Sequence, residues 1–245
     1  MGKCLLCQKN ESSNIRSHII SKFFLKDLKD GDNSIVAVYT ETGRIQNRSD
    51  LYVQKGMLCT DCEKNISILE SNSGRIFKKM YNKDLKEYFS IKGSDYGFSN
   101  IVLTRNNEMF CLFILSLIWR VSASKYFERF VLPTNVEKEL RYLLLKGFEC
   151  ISGNTMFDIS FNNFEFILMK PTSKDIKSRG VISAFKGNET IYVINLPFFI
   201  ILIFLEGSVN SLSKHLCTHN LSSVQFTEVT NEYYKSVVSN LNKLV

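Results

Sequence analysis

Two Cys-x-x-Cys pairs are the residues of this chain with the clearest chemistry. The first pair is Cys4 and Cys7, and the second is Cys59 and Cys62. Each pair can present two thiolates to one ion, and four thiolates complete the tetrahedron that structural Zn²⁺ prefers. Free or redox-active thiols are the alternative, but two pairs in one chain favour zinc. Because four cysteines leave no open coordination position, this zinc would be structural and not catalytic.

Groups that could act on a substrate lie close to these pairs in the sequence. His18 lies between the pairs, in Ser17-His18-Ile19-Ile20, and Glu63 directly follows Cys62. Histidine is the most frequent general base in enzymes, and carboxylates bind hard divalent cations. The structural alternatives are a packed His18 that is hydrogen-bonded to backbone and an acid favoured by a helix dipole at Glu63.

The elements between and after the cysteine pairs must position these groups. Residues 34–40 predict a strand, and residues 51–53 predict a second short strand. The apolar residues of 61–81 recur at helical spacing, although Ser71-Asn72-Ser73-Gly74 weakens the middle. A knuckle, a β-hairpin and a helix in this order are typical of a treble-clef finger. We therefore predict a zinc module over residues 1–82.

The remainder predicts a helical and then β-rich domain over residues 83–245, so the predicted fold class is α+β. We expect irregular chain from 82 to 107, an apolar helix at 108–126, and a second helix at 136–146. Asn135 would cap this second helix and Gly147 would end it. The later segments are expected to be two hairpins (156–169 around Asn162-Asn163, and 181–195), a strand or helix at 198–205, and a helix at 226–244.

Composition and charge narrow the class of protein. The chain is 44% hydrophobic and 22% charged, which excludes a disordered protein, and 31 basic against 24 acidic residues suit a polyanionic partner. Seven cysteines, an odd number, without a secretion signal predict a reducing, cytoplasmic location. The apolar runs at 109–121 and 191–205 fall short of the roughly 18 residues that a membrane span needs, so we predict none. A membrane-active effector is the minority alternative.

Four motifs together resemble the HNH endonuclease superfamily in its zinc-stabilised form. They are Cys4-Leu-Leu-Cys7, Ser17-His18-Ile19-Ile20, Leu58-Cys59-Thr60-Asp61-Cys62-Glu63 and the later Leu115-Ser-Leu-Ile-Trp119-Arg120. The same elements occur in a bacterial subgroup of uncharacterised HNH-like proteins. The resemblance of the zinc finger covers about residues 1–80 and implies a ββα-metal core.

The resemblance also implies a mechanism and the residues that perform it. His18 would be the general base that activates water, and Asn47 would orient it. Glu63 would hold one catalytic divalent ion, Mg²⁺ or Mn²⁺, at the scissile phosphate. Ser17 stands where the superfamily usually has aspartate, and serine is a poor ligand for a hard cation. Glu63 is the first residue that could compensate, and Glu70 and Asp50 are further candidates.

Basic side chains supply the expected contacts with nucleic acid. Arg48 and Lys55, near the predicted hairpin, could bind phosphates. Arg75, Lys78 and Lys79 make a basic face on the helix that follows the second cysteine pair. A solvated helix surface is the alternative interpretation of this face.

These observations support two hypotheses about function. The first is a metal-dependent endonuclease that hydrolyses DNA, with RNA as the less favoured substrate. The resemblance suggests a place in bacterial anti-phage defence, with a protein partner. The second hypothesis is a catalytically inactive zinc-finger module that binds nucleic acid or protein. Exposure of His18 in a cleft near Glu63 would favour the first hypothesis.

Overall fold

The computed structural model describes residues 2–26, 35–39, 44–48, 51–81, 89–95, 98–153, 160–172, 182–197, 199–208 and 216–242. The helices are α1 (Lys22–Lys26), α2 (Thr60–Tyr81), α3 (Asn107–Ala123), α4 (Thr134–Gly153) and α5 (Asn231–Asn242). The strands are β1 (Ser17–His18), β2 (Ile35–Tyr39), β3 (Arg44–Arg48), β4 (Val53–Gln54), β5 (Phe89–Asp95), β6 (Phe98–Leu103), β7 (Phe164–Pro171), β8 (Ser183–Lys186), β9 (Ile191–Leu196), β10 (Phe199–Leu205) and β11 (Gln225–Val229). The predicted α+β class is confirmed.

The first part of the chain has the predicted order of knuckle, hairpin and helix. Strand β1 pairs antiparallel with β4, so that Ser17 faces Gln54 and His18 faces Val53. Strands β2 and β3 form a separate antiparallel hairpin between them. Helix α2 follows directly and begins at the second cysteine pair.

Helix α2 continues through the segment that its sequence makes weakest. Ser71 Oγ and Asn72 Nδ2 donate hydrogen bonds to the backbone carbonyls four residues earlier, which keeps their polar groups within the helix. A Cβ atom on Gly74 would lie 3.4 Å from the ring of Phe23. Phe23 of α1 therefore lies at ordinary van der Waals distance from α2 at this position.

A seven-stranded sheet forms the second part, in the order β5-β6-β11-β7-β10-β9-β8. The described pairs are antiparallel except for β11 with β7. The sequence prediction for residues 82–107 was wrong for 89–103, which forms the hairpin of β5 and β6. The helix predicted at 226–244 begins at Asn231 instead, because residues 225–229 are paired in the sheet.

The two predicted hairpins have different outcomes. The second is confirmed, since β8 pairs with β9 and Ser183 faces Asn195. Of the first, residues 164–169 lie in β7 and Ser160 forms a bridge with Asn220, whereas residues 156–159 lie outside the described part of the chain. Within the ambiguous segment 198–205, residues 199–205 form strand β10, which pairs with β7 and β9.

Helix α3 lies at the centre of the protein. Every residue from Phe110 to Val121 is buried, and α3 packs against both α2 and α4. One cluster of buried residues extends from Cys4 to Phe226, so the first part of the chain and the sheet share a core. The division into domains at residue 82 stays a prediction. No helix in the described ranges is long and apolar enough to cross a membrane.

Helix α4 corrects the predicted roles of Asn135 and Gly147. The helix begins one residue before Asn135, whose amide donates instead to Asn163 Oδ1 at 2.8 Å. It also continues beyond Gly147 to Gly153. A Cβ atom at Gly147 would lie 2.5 Å from both Cδ atoms of Leu112, so this glycine permits the close approach of α3 and α4.

Candidate metal site and histidine strand

The four cysteines of the two pairs form one cluster. One ligand atom from each of Cys4, Cys7, Cys59 and Cys62 lies within 4.8 Å of the others. Cys7 is half-buried and the other three are buried. Within the described ranges, no second group of three or more histidine, cysteine or acidic side chains lies this close together. The predicted ligand set is therefore brought together and can hold a metal ion.

Backbone hydrogen bonds hold the first cysteine pair in its turn. The Gln8 N–H donates to Cys4 O at 2.9 Å, and Gln8 adopts a left-handed conformation with φ of 55°. The Leu5 N–H donates to Met57 O at 2.9 Å, which ties this turn to the segment before the second pair. Cys62 lies in the first turn of α2, so the helix and the turn together set the positions of the four sulfurs.

The thiols of the cluster perturb one another. A hydrogen bond from Cys62 lowers the pKa of Cys4 to about 4. The same contact, together with burial, raises the pKa of Cys62. Burial raises the pKa of Cys59. These shifts belong to protonated thiols, and a bound cation would replace their protons because metal ligation requires thiolates.

The strand that contains Ser17 lies against the start of α2. Ser17 Oγ donates a hydrogen bond to Glu63 Oε2 at 2.8 Å, and Ser17 is only 2% exposed. Glu63 is half-buried in the first turn of α2, one residue after Cys62. The two sequence elements predicted to form a site are therefore in direct contact. The hydroxyl that replaces the expected acid engages the carboxylate itself.

Backbone contacts fix His18 in its strand. It is half-buried and faces Val53 across the β1–β4 pair. Its carbonyl oxygen accepts a hydrogen bond from Arg120 Nη1 at 2.5 Å.

Arg120 is the residue at this site that the sequence prediction missed. It ends the fourth motif of the sequence, residues 115–120, and is only 1% exposed. Its Nη1 also donates to Glu70 Oε1 at 2.7 Å, so Glu70 is an ion-pair partner of Arg120. One signal was available: an arginine inside an apolar helix such as α3 needs a buried acceptor, and a buried charge without a partner is costly.

The loop after α3 holds the second strand of the pair. The Lys125 N–H donates to Gln54 Oε1 at 3.1 Å. The Tyr126 hydroxyl donates to Val53 O at 2.5 Å. The end of α3 and its loop therefore contact both strands of the β1–β4 pair, through Arg120 on β1 and through these two residues on β4.

The remaining predicted site residues of this region are Asn47, Arg48, Asp50 and Lys55. Asn47 and Arg48 lie on β3, opposite Val36 and Ile35, and their side chains lie outside the described part, as does all of Asp50. Lys55 is exposed directly after β4.

The predicted basic face lies along α2, away from its first turn. Arg75 and Lys78 are exposed and Lys79 is half-buried. Arg75 also donates hydrogen bonds to Ser71 O at 3.4 Å and to Asn72 Oδ1 at 3.1 Å, which holds its guanidinium against the helix.

A cavity of about 510 Å³ lies beside the cysteine cluster. Cys7 and Cys62 line one side, and Tyr142 and Phe148 of α4 line the other. Neither His18 nor Glu63 is among the lining residues, so this cavity belongs to the cysteine cluster and not to the histidine strand.

Comparison with known proteins gives no further assignment. No family model, no curated protein and no solved structure matches this chain.

Proposed function

We propose that this protein is a metal-dependent endonuclease of the HNH type that hydrolyses phosphodiester bonds in DNA. One observation carries the proposal, namely the hydrogen bond from Ser17 Oγ to Glu63 Oε2 at 2.8 Å. Through it, the strand that contains His18 is joined to the helix start that contains Glu63. A base and a carboxylate on adjoining elements are what metal-assisted hydrolysis of a phosphodiester requires.

Zinc is the metal that we propose for the four cysteines. A Zn–S bond of 2.3 Å in a tetrahedron implies neighbouring sulfurs about 3.8 Å apart. The Sγ atoms of Cys7 and Cys59 are 3.8 Å apart. This zinc would stabilise the turn and the start of α2, and so hold the Ser17–Glu63 contact in place.

In the proposed reaction, the His18 imidazole takes a proton from water, and the resulting hydroxide attacks phosphorus. The bond from phosphorus to the leaving oxygen then breaks, and that oxygen takes up a proton from water. A Mg²⁺ or Mn²⁺ ion, when bound, would supply charge stabilisation at that oxygen. Glu63, whose carboxylate accepts the hydrogen bond from Ser17 Oγ, would hold the ion. Asn47 would orient His18.

Charge and location complete the proposal. The excess of basic residues suits a DNA backbone, and Lys55, Arg48, Arg75, Lys78 and Lys79 are the proposed phosphate contacts. We place the protein in the reducing cytoplasm and in anti-phage defence, with a protein partner there, on the basis of its cysteines and of the family resemblance.

A catalytically inactive zinc module that binds nucleic acid or protein is the second candidate. The specific observation in its favour is Ser17. The residue that usually supplies a carboxylate is a hydroxyl here, and this hydroxyl is already bonded to Glu63. Such a site has fewer anionic ligands for a divalent ion.

Cleavage of plasmid and single-stranded DNA with Mg²⁺ or Mn²⁺ separates the two candidates. We expect His18→Ala and Glu63→Ala each to lower the rate at least about 100-fold, the size of effect that loss of a general base produces. His219→Ala and Glu189→Ala, which remove exposed side chains of the same types, should cleave like wild type. Zinc content should be equal in all five proteins. A zinc-loaded wild type that binds DNA but cleaves it with neither ion would establish the second candidate instead.

A further inference from the structure

The contacts of Arg120 converge on the segment that contains His18. Its Nη1 donates to His18 O at 2.5 Å and to Glu70 Oε1 at 2.7 Å. Its Nη2 donates to Ser21 Oγ at 3.3 Å, and its Nε to Ser116 O at 3.3 Å. Ser21 Oγ in turn donates to Glu70 Oε1 at 2.6 Å. A buried guanidinium thus joins α2, α3 and the chain around β1.

The peptide unit after His18 is held at both of its polar atoms. Arg120 binds its carbonyl oxygen, and the Ile19 N–H donates to Tyr52 O at 2.8 Å. Because a peptide unit is planar, these two hydrogen bonds fix the orientation of the whole plane. Pairing of His18 with Val53 fixes the strand on its other side. The direction in which the His18 side chain leaves the backbone is therefore determined.

Tyr52, whose carbonyl oxygen accepts the hydrogen bond from the Ile19 N–H, is itself in a strained backbone conformation. Tyr52 has φ of 54°, a left-handed conformation that is unfavourable for a residue with a bulky side chain. Its ring stacks on Phe127 at 5.1 Å between centroids and meets Tyr126 edge to face at 5.8 Å. Strain of this kind persists only where surrounding contacts hold it, and it concentrates at functional sites.

We infer that Arg120 is a positioning residue for the general base. It does not touch substrate, and it acts by fixing the peptide through which His18 projects its imidazole. The inference rests on the proposed function. A lysine would keep the charge but lose the planar fork that reaches His18, Glu70 and Ser21 together. If Arg120 only joined helices, its replacement would lower stability and leave the imidazole unmoved.

The test compares Arg120→Lys with Lys170→Met. Lys170 is a matched control, because it is also buried and paired with an acid, Glu228, but lies on β7 of the sheet. The readouts are kcat and KM for DNA cleavage, the pH–rate profile, and the ¹³C-histidine NMR resonance of His18, assigned with His18→Ala. For Arg120→Lys we expect kcat to fall about 10–100-fold, KM to change less than about threefold, and the His18 resonance to move. Lys170→Met should lose thermal stability and change none of these readouts.

A wild-type kcat together with an unmoved His18 resonance in folded Arg120→Lys would overturn the inference. If wild type cleaves no DNA, the proposed function fails, and the resonance still decides whether Arg120 positions His18. If Arg120→Lys does not fold, Glu70→Ala takes its place, since it removes the acceptor that holds Nη1 of Arg120 beside His18 O. An unmoved resonance and an unchanged kcat in folded Glu70→Ala would equally count against the inference.

Discussion

Replacement of Ser17 by aspartate introduces the acid that the HNH superfamily, which the motifs resemble, usually has at this position, and it probes the contact between Ser17 and Glu63. The Ser17 hydroxyl is 2.8 Å from Glu63 Oε2 and is buried. A carboxylate at this position would lie about as close to Glu63 and would repel it, because both groups are ionised at neutral pH. With a divalent ion between them, the same two carboxylates would become a ligand pair.

The cost of this substitution can be bounded. Two like charges about 3 Å apart repel by roughly 5 kcal/mol at an effective dielectric constant near 20. Uptake of one proton relieves this, and at pH 7 it costs about 4 kcal/mol for a carboxyl with an ordinary pKa near 4. Because Glu63 is half-buried, solvent screening lowers the repulsion. We therefore expect Ser17→Asp to lower the free energy of unfolding by about 2–4 kcal/mol at pH 7.

The stability of Ser17→Asp should depend on pH and on Mg²⁺, and the direction in which the carboxyl pKa shifts determines how. Repulsion raises the pKa of one carboxyl in the folded state, so the folded protein binds more protons than the unfolded chain. Stability should then rise as the pH falls from about 8 to 5, and excess Mg²⁺ should restore it at pH 8. Urea unfolding of wild type, Ser17→Asp and the uncharged Ser17→Asn measures this. A Ser17→Asp variant as stable as Ser17→Asn at pH 8, or unaffected by Mg²⁺, would refute the reasoning.

Two further predictions concern the fold that holds the site. If zinc fills the cysteine cluster as proposed, Cys62→Ser should reduce bound zinc from one ion per chain to a small fraction, as measured by elemental analysis. Its thermal midpoint, measured by circular dichroism, should also fall, because metal binding contributes to folding. Cys111→Ser, a variant of a cysteine outside the cluster, should keep its zinc. Gly147→Ala should destabilise the protein by about 1–3 kcal/mol, because its new Cβ would meet Leu112 at 2.5 Å. Gly2→Ala, with no heavy atom within 4 Å of the new Cβ, should be neutral in the same urea titration, and a neutral Gly147→Ala would contradict the packing described for α3 and α4.

Features that depend on local sequence were predicted well. Helix α2 follows from its apolar spacing, and the cysteine cluster follows from two spacings alone. The hairpin of β5 and β6 was missed because residues 89–95 contain Gly93 and have little strand propensity of their own. Pairing of β6 with β11, which is more than a hundred residues distant in the sequence, supplies the context that favours it.

The errors at α4 and at the site have a common physical reason. Gly147 has the sequence signature of a helix end, but its role is set by Leu112 on another helix. The role of Arg120 is not visible in the sequence around it, because its acceptors, His18 and Glu70, lie far away in the sequence. Contacts between distant segments decide these roles, and neither periodicity nor residue type reports them.

The position of β11 has a consequence for the order in which the chain can fold during synthesis. This strand lies between β6 and β7, although residues 225–229 are translated long after residues 98–103 and 164–171. Until it emerges from the ribosome, β6 and β7 each have an edge with unpaired backbone groups, and such edges recruit other chains. The nascent protein therefore passes through an interval in which a chaperone that shields strand edges would increase its yield.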